Sequence, residues 1–211
     1  AGRASDVYNL ANALIGHRRG GLASTTIVAS AGFGAICGSG VATTATFGRV
    51  AMPEMLERGY RPDLAAGSIA AGGTLGIIVP PSSMMILYAV LTEQSVLDLF
   101  SAAIVPAALA VIFYMIAIQV KLKMDPEAAQ RGERATMRQR LHAAGQAWGV
   151  IVLFVVVMGG IYSGIFTVHE AAAVGVVFSF LLLVAKGRFT WNTLIGVLAE
   201  ASAGTAMIYI M

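Results

Sequence analysis

"GAICGSGVATTA", residues 34–45, lies in one of the most apolar parts of the chain, yet it carries Cys37-Gly38-Ser39-Gly40, with Thr43 and Thr44 one turn later. A helix in lipid satisfies its own backbone. Two glycines around a hydroxyl interrupt it where no water replaces the lost bonds. Non-helical backbone survives at membrane depth only when it is buried in protein or lines a polar cavity. The interruption frees carbonyls at the end of one half-helix and N–H groups at the start of the next, which suit a cation and an anion respectively. Gly38, Ser39, Gly40 and Thr43 are therefore candidate binding residues, Ser39 and Thr43 supplying hydroxyl oxygens. The alternative is a tight turn between two short helices, or a Gly/Ser helix-packing motif.

The charges around this segment decide how it enters the membrane. The chain is 57% hydrophobic and 12% charged, with mean hydropathy +0.78, whereas a soluble domain carries about 25% charged residues. This is the composition of a membrane protein. Its 14 Lys and Arg residues cluster at Arg3, at Arg18-Arg19, and within 49–61, 121–140 and 186–188. The turns "TEQSVLD" (92–98) and "TVHE" (167–170) contain neither. The positive-inside rule places those turns outside and the basic clusters in the cytoplasm. Residues 63–91, 97–123, 147–166 and 168–187 then alternate in direction across the bilayer. Residues 22–57 do not alternate, because Arg18-Arg19 precede them and Arg49 and Arg58 bracket their end. Residues 22–36 make roughly 22 Å of helix, short of a ~30 Å hydrocarbon core but past its midplane. Residues 22–57 are read as a re-entrant helical hairpin from the cytoplasmic side, with its tip at "CGSG".

A second interruption follows. "GGTLGIIVPPSS", residues 72–83, sets three glycines and a proline pair inside the apolar segment 63–91. Pro80 and Pro81 lack N–H groups and obstruct the carbonyls one turn back, and Val79 is biased away from helix. A discontinuous transmembrane helix is expected, with residues 74–83 unwound and Thr74, Gly76, Pro80, Pro81, Ser82 and Ser83 as candidates. A simple proline kink is the alternative reading. Paired broken helices are the best pointer in a sequence to a transporter site.

The remaining segments are less informative. Residues 1–21, with Val7, Leu10, Leu14 and Ile15 at helical spacing, suggest an interfacial or arm helix or the end of a spanning one, and residues 124–146 a cytoplasmic linker with an amphipathic helix over 131–140, a plain solvated linker being the alternative. Glu170 is expected to cap the helix after it, with a functional role as the alternative. Residues 190–211 place Trp191 at an interface and Glu200 before the next apolar run. We expect the 211 residues to be an internal piece of a longer polytopic protein, with no signal peptide. One cysteine excludes an internal disulfide and a cysteine-based metal cluster. His17, His142 and His169 form no ligand pair, and neither a phosphate-binding Gly loop nor a nucleophile–base spacing is present. Neither an enzyme nor a nucleic-acid partner is expected, and no cofactor.

"GHRRGGLASTTIVASAGFGAICGSGVATTATFGRVAMPEMLERGY", then "AAGSIAAGGTLGIIVPPSSMMILYAVLTEQS", and later "GIYSGIFTVHEAAAVGVV" resemble the large membrane (permease) subunit of tripartite ATP-independent periplasmic (TRAP) transporters. The likeness runs over essentially the whole chain. It implies an all-α fold that is half of an inverted-repeat, elevator-type transporter in the bacterial inner membrane. It also implies sodium-coupled symport of an organic acid anion, a dicarboxylate or other carboxylate. A periplasmic substrate-binding protein would deliver that anion, and a small four-helix membrane subunit would act as scaffold. Carried over by position, Gly38 to Thr43 and Thr74 to Ser83 would form one sodium site and half of a substrate site. The other half would come from a second repeat beginning within 190–211, near Gly204. Sodium, the coupling ion, would be held by neutral oxygens. Two departures stand out. Many relatives carry Gly-Ser-Ser where this chain has Gly38-Ser39-Gly40, and Thr-Pro-Thr-Glu where it has Thr167-Val168-His169-Glu170. No Arg lies within either break to mark a carboxylate clamp. The rival readings are a stand-alone sodium–carboxylate symporter without a binding protein, and an ion channel or structural membrane subunit.

Overall fold

A computed structural model describes residues 2–130, 132, 135–185, 187 and 190–210. Among these the chain is helical throughout: α1 (Gly2–Ile15), α2 (Gly21–Cys37), α3 (Gly40–Glu57), α4 (Pro62–Ile78), α5 (Ser83–Leu91), α6 (Val96–Met124), a 3-10 turn (Pro126–Ala128), α7 (Met137–Tyr162), α8 (Val168–Ala185) and α9 (Trp191–Ile210). Helices α6, α7 and α8 are long and apolar enough to cross a membrane, and so are α4 and α5 if the pair, bent by 41° at its break, is taken as one broken span. The chain is a polytopic membrane protein.

Local chemistry sets the helix ends. Pro62 opens α4 with its fixed φ, and Asp63 in the first turn complements the helix dipole. The Ser95 side chain accepts from Asp98 N at the start of α6, which ends on Lys121 and Lys123. Thr136 and Gln139 form a capping box at the start of α7. Thr167 and Glu170 bond reciprocally in the same way ahead of α8, with Thr167 N donating to Glu170 Oε2 at 2.8 Å and Glu170 N to Thr167 Oγ1 at 3.3 Å.

The core sits around α2, which packs on α4 along its length with α1 and α3 beside it. Leu22, Ile27, Phe47, Met55, Leu64 and Leu75 fill it, and Phe33 meets Phe47 edge-on at 5.7 Å. Helix α1 belongs to this core, because Tyr8 and Ala11 are buried in it. The helix expected within residues 1–21 thus packs one face on this core. At the base of the hairpin a polar clasp joins distant segments. The Tyr60 hydroxyl accepts from Leu22 N at 3.1 Å and donates to Gln130 O at 3.4 Å. Arg61 N donates to Ala128 O at 3.0 Å, Arg19 Nη2 to Pro126 O at 2.7 Å, and Lys121 pairs with Asp63 at 3.3 Å. Burial pushes the Tyr60 phenol above its ordinary value, which keeps its proton available for donation.

Two expectations are corrected. The unwound part of residues 63–91 is shorter than 74–83, since α4 continues through Thr74 and Gly76 to Ile78 and only 79–82 are non-helical. Gly72, Gly73 and Gly76 pack in helical form, and the prolines alone end the helix. The short amphipathic helix expected over 131–140 is instead, from Met137 on, the first turn of α7, which continues unbroken to Tyr162. The run Gln139 to Ala144 holds good helix formers and no breaker. Residues 131, 133 and 134 of that expectation lie outside the described set, as do Lys186 and Arg188 of the last basic cluster and the side chains of Glu200 and Gly204.

Candidate functional site

The first break is built from two residues. Gly38 ends α2 in the left-handed region at φ 63°, its N–H returned to Gly34 O. Only glycine takes that conformation without cost. Ser39 is extended and begins α3 as its N-cap, accepting from Ala42 N at 3.3 Å. Its carbonyl accepts from Thr43 N at 3.0 Å and from the buried Thr43 Oγ1 at 2.7 Å.

The second break, Val79 to Ser82, contains a cis bond between Pro80 and Pro81. Lacking N–H groups, these prolines cannot return helical bonds to the carbonyls of Gly76 and Ile77. Ser82 starts α5 in extended geometry without capping it. Its side chain is fully buried, and its hydroxyl is one of the buried oxygens with no hydrogen-bond partner among the described residues.

The two breaks meet. Ser83 donates to Gly38 O from its Oγ at 2.7 Å and from its N at 3.4 Å. Below this contact the helices approach to backbone distance. A Cβ on Gly34 would stand 2.6 Å from the Gly76 Cα, one on Gly76 would stand 2.7 Å from Thr43 Oγ1, and one on Gly40 would stand 2.9 Å from Gly73 O. Four helix ends therefore converge: the C-termini of α2 and α4, and the N-termini of α3 and α5. The first pair presents partial negative charge and the second partial positive charge. Among the described residues no cluster of His, Cys, Asp or Glu is arranged to hold a metal ion, so the donors here are carbonyls and hydroxyls. Neutral oxygens from backbone and hydroxyl groups suit a hard cation of low charge.

Nine of the ten candidate residues come together in this place. Thr74 does not. Its hydroxyl bonds Ala71 O at 2.7 Å and the Tyr114 hydroxyl of α6 at 2.8 Å, away from the tip. Sequence reasoning missed Gly34 and Gly73, whose lack of side chains lets α2 and α3 close onto α4. Their signal was only the density of glycine along two neighbouring apolar helices.

The whole chain, residues 1–211, matches the family described as "Tripartite ATP-independent periplasmic transporter, DctM component". It is 42% identical over 179 residues to a C4-dicarboxylate TRAP transporter large permease protein of Pseudomonas aeruginosa, covering 84% of this chain and 41% of that protein. An ectoine/5-hydroxyectoine TRAP transporter large permease protein of Ruegeria pomeroyi is 34% identical over 184 residues, 85% of this chain and 41% of its own length. A sialic acid TRAP transporter permease protein of Haemophilus influenzae is 31% identical over 210 residues, 97% of this chain and 33% of its own length. The chain thus spans less than half the length of these relatives.

Proposed function

This chain belongs to the DctM component family of tripartite ATP-independent periplasmic transporters, and from that membership we propose that it forms the first half of the translocation site of a sodium-coupled importer of organic acid anions. The observation that carries this reading is the buried Ser82 hydroxyl, without a partner among the described residues, at the junction of four helix ends. A buried polar oxygen without a partner costs about 1–3 kcal/mol. A bound sodium ion removes that cost and accepts the carbonyls of Gly76 and Ile77 as further ligands. Thr43, whose hydroxyl hydrogen is spent on Ser39 O, keeps lone pairs for the same ion.

The organic anion then binds next to the sodium, drawn by its charge and by the N-termini of α3 and α5. Chemically it is a carboxylate. A second helical repeat closes the other side of the site. A periplasmic binding protein delivers the substrate, a small four-helix membrane subunit holds the permease in place, and the assembly works in the bacterial inner membrane. The chain is not an enzyme. Its ligands are held by backbone and hydroxyl groups with no nucleophile or proton shuttle among them.

The test is uptake of a labelled dicarboxylate into proteoliposomes holding the full-length permease with its small subunit. It is run with and without an inward sodium gradient, and with and without the binding protein. Uptake that needs both supports the proposal. Uptake without the binding protein favours the stand-alone symporter, and sodium-independent uptake overturns the ion assignment.

A further inference from the structure

Away from the hairpin tip, a cavity of about 890 Å³ opens where α1, α7 and the base of the hairpin meet. Its walls carry Asn12, Arg58, Arg138, Gln139 and His142, and no Asp or Glu lines it among the described residues. Arg58 comes from the end of the hairpin and Arg138 from the first turn of α7, two elements far apart in sequence. Glu54 pairs with Arg58 at 2.9 Å, but no described ion pair engages Arg138. Two guanidinium groups and an imidazole thus face one space, Glu54 pairing with one of them. The N-terminus of the 26-residue α7 adds its own positive end to the same wall through Ala135, Arg138 and Gln139.

The surroundings are built to hold this space open. Arg140 Nε donates to Ala13 O at 3.1 Å, fixing α1 against α7. The Tyr60 hydroxyl, bonded to Leu22 N and Gln130 O, forms the opposite wall. The cavity also sits at a defined depth. Gln146, on its inner edge, is about 3 Å of helix rise before Trp148, where the apolar part of α7 begins, and Arg138 is about 15 Å before it. A headgroup layer is about 5–7 Å thick on each face of a bilayer. The lining therefore begins near the edge of the hydrocarbon core at Gln146 and crosses the headgroup layer, with its cations at and beyond the outer limit of that layer, His142 at about 9 Å and Arg138 at about 15 Å.

We propose that this cavity is an oxyanion site for a phosphate group, bridged between Arg58 of the hairpin and Arg138 of α7. Planar guanidinium forks match phosphate oxygens in pairs, and the side-chain amides of Asn12 and Gln139 complete a donor set without charge. The phosphate has two sources, the headgroup of an anionic phospholipid or a soluble phosphate, and the chemistry of the site is the same for both. Its occupant ties the hairpin to α7, so binding there sets how freely those two elements move apart.

The test uses the full-length permease with its small subunit, purified in a neutral detergent. Native mass spectrometry with dioleoylphosphatidylglycerol against dioleoylphosphatidylcholine reads the lipid source, and calorimetric titration with inorganic phosphate reads the soluble one. Arg138→Gln should weaken the bound form about fivefold and Arg58→Gln with Arg138→Gln about 25-fold, at roughly a fivefold loss per arginine near a membrane surface. Both side chains are exposed, so the melting temperature should hold, and Lys123→Gln, outside the cavity, should bind as wild type does. Preferential retention of the phosphatidylglycerol, reduced in the arginine variants, assigns the site to lipid. Phosphate binding reduced in the same variants, without lipid preference, assigns it to a soluble anion. Absence of both, or binding unchanged in the double variant, overturns the site.

Discussion

Ser39 and Ser82 look alike in the sequence, each a serine inside a helix break, but the structure gives them different work. The Ser39 oxygen is occupied as the cap of α3, whereas the Ser82 oxygen is buried with no partner among the described residues. Ser82→Ala should therefore shift the sodium dependence of uptake to higher concentration, by roughly threefold to tenfold for the loss of one neutral oxygen. Ser39→Ala should act mainly on the hairpin, lowering thermal stability by about 1 kcal/mol, the worth of an N-cap, with a smaller sodium shift. Equal sodium curves for wild type and Ser82→Ala would remove that hydroxyl from the site. Gly34 gives a second residue-scale expectation. Its added methyl would stand 2.6 Å from the Gly76 Cα, and backbone cannot yield as a side chain can. Gly34→Ala should cost about 1–3 kcal/mol through overpacking, read as a lower melting temperature of the purified permease together with reduced uptake. Gly67→Ala, which meets nothing within 4 Å on the same α4, should be neutral in both.

Among the elements, the proline pair does what glycine density does not. The three glycines of 72–76 stay helical and give α2 and α3 a smooth surface to rest on, while Pro80 and Pro81 end α4 and bend the span by 41°. Replacing both prolines with Ala should restore N–H donors to the Gly76 and Ile77 carbonyls. Membrane insertion should persist, since no charge is added, and uptake should fall sharply. Normal uptake with normal sodium dependence would show that the unwound segment is dispensable. The hairpin and the break were legible in the sequence because both rest on local rules: a Gly-Ser-Gly interruption in an apolar run, and missing proline N–H groups. The extent of unwinding was not legible, because glycine weakens an isolated helix but is tolerated where a neighbour packs on it. Nor was the clasp at the hairpin base. Tyr60, Leu22 and Gln130 are brought together only by the fold, and nothing in a turn tyrosine announces a partner 70 residues away. Thr74 was misplaced for a related reason, since its register turns it toward Tyr114 of α6.

At the scale of the whole molecule, the similarity to permeases named for a C4-dicarboxylate, for ectoine and for sialic acid fits a site made of backbone and hydroxyl groups. On the function proposed above, such a site would bind the ion and leave recognition of the substrate to groups elsewhere. The direction in which the spans cross is the remaining element of the design, and it rests on the placement of Lys and Arg. Helix α6 is 29 residues long, about 43 Å at 1.5 Å per residue, more than the ~30 Å hydrocarbon core. Gln94 lies in the turn before it and Gln130 just after the 3-10 turn that follows it, and both are exposed. Cys37 is the only native thiol of these 211 residues, so Cys37→Ser leaves a clean background. In that background, within the full-length permease, Gln94→Cys should react with a membrane-impermeant thiol reagent added outside spheroplasts. Gln130→Cys should react only after the membrane is opened. A hairpin that enters from the cytoplasm requires this order, because Arg19 at its start and Tyr60 at its end are bonded to the same segment, 126–130, that holds Gln130. Labelling of both positions from outside would put α6 in the wrong place and the hairpin with it, whereas labelling in the reverse order would keep the fold and invert the charge rule.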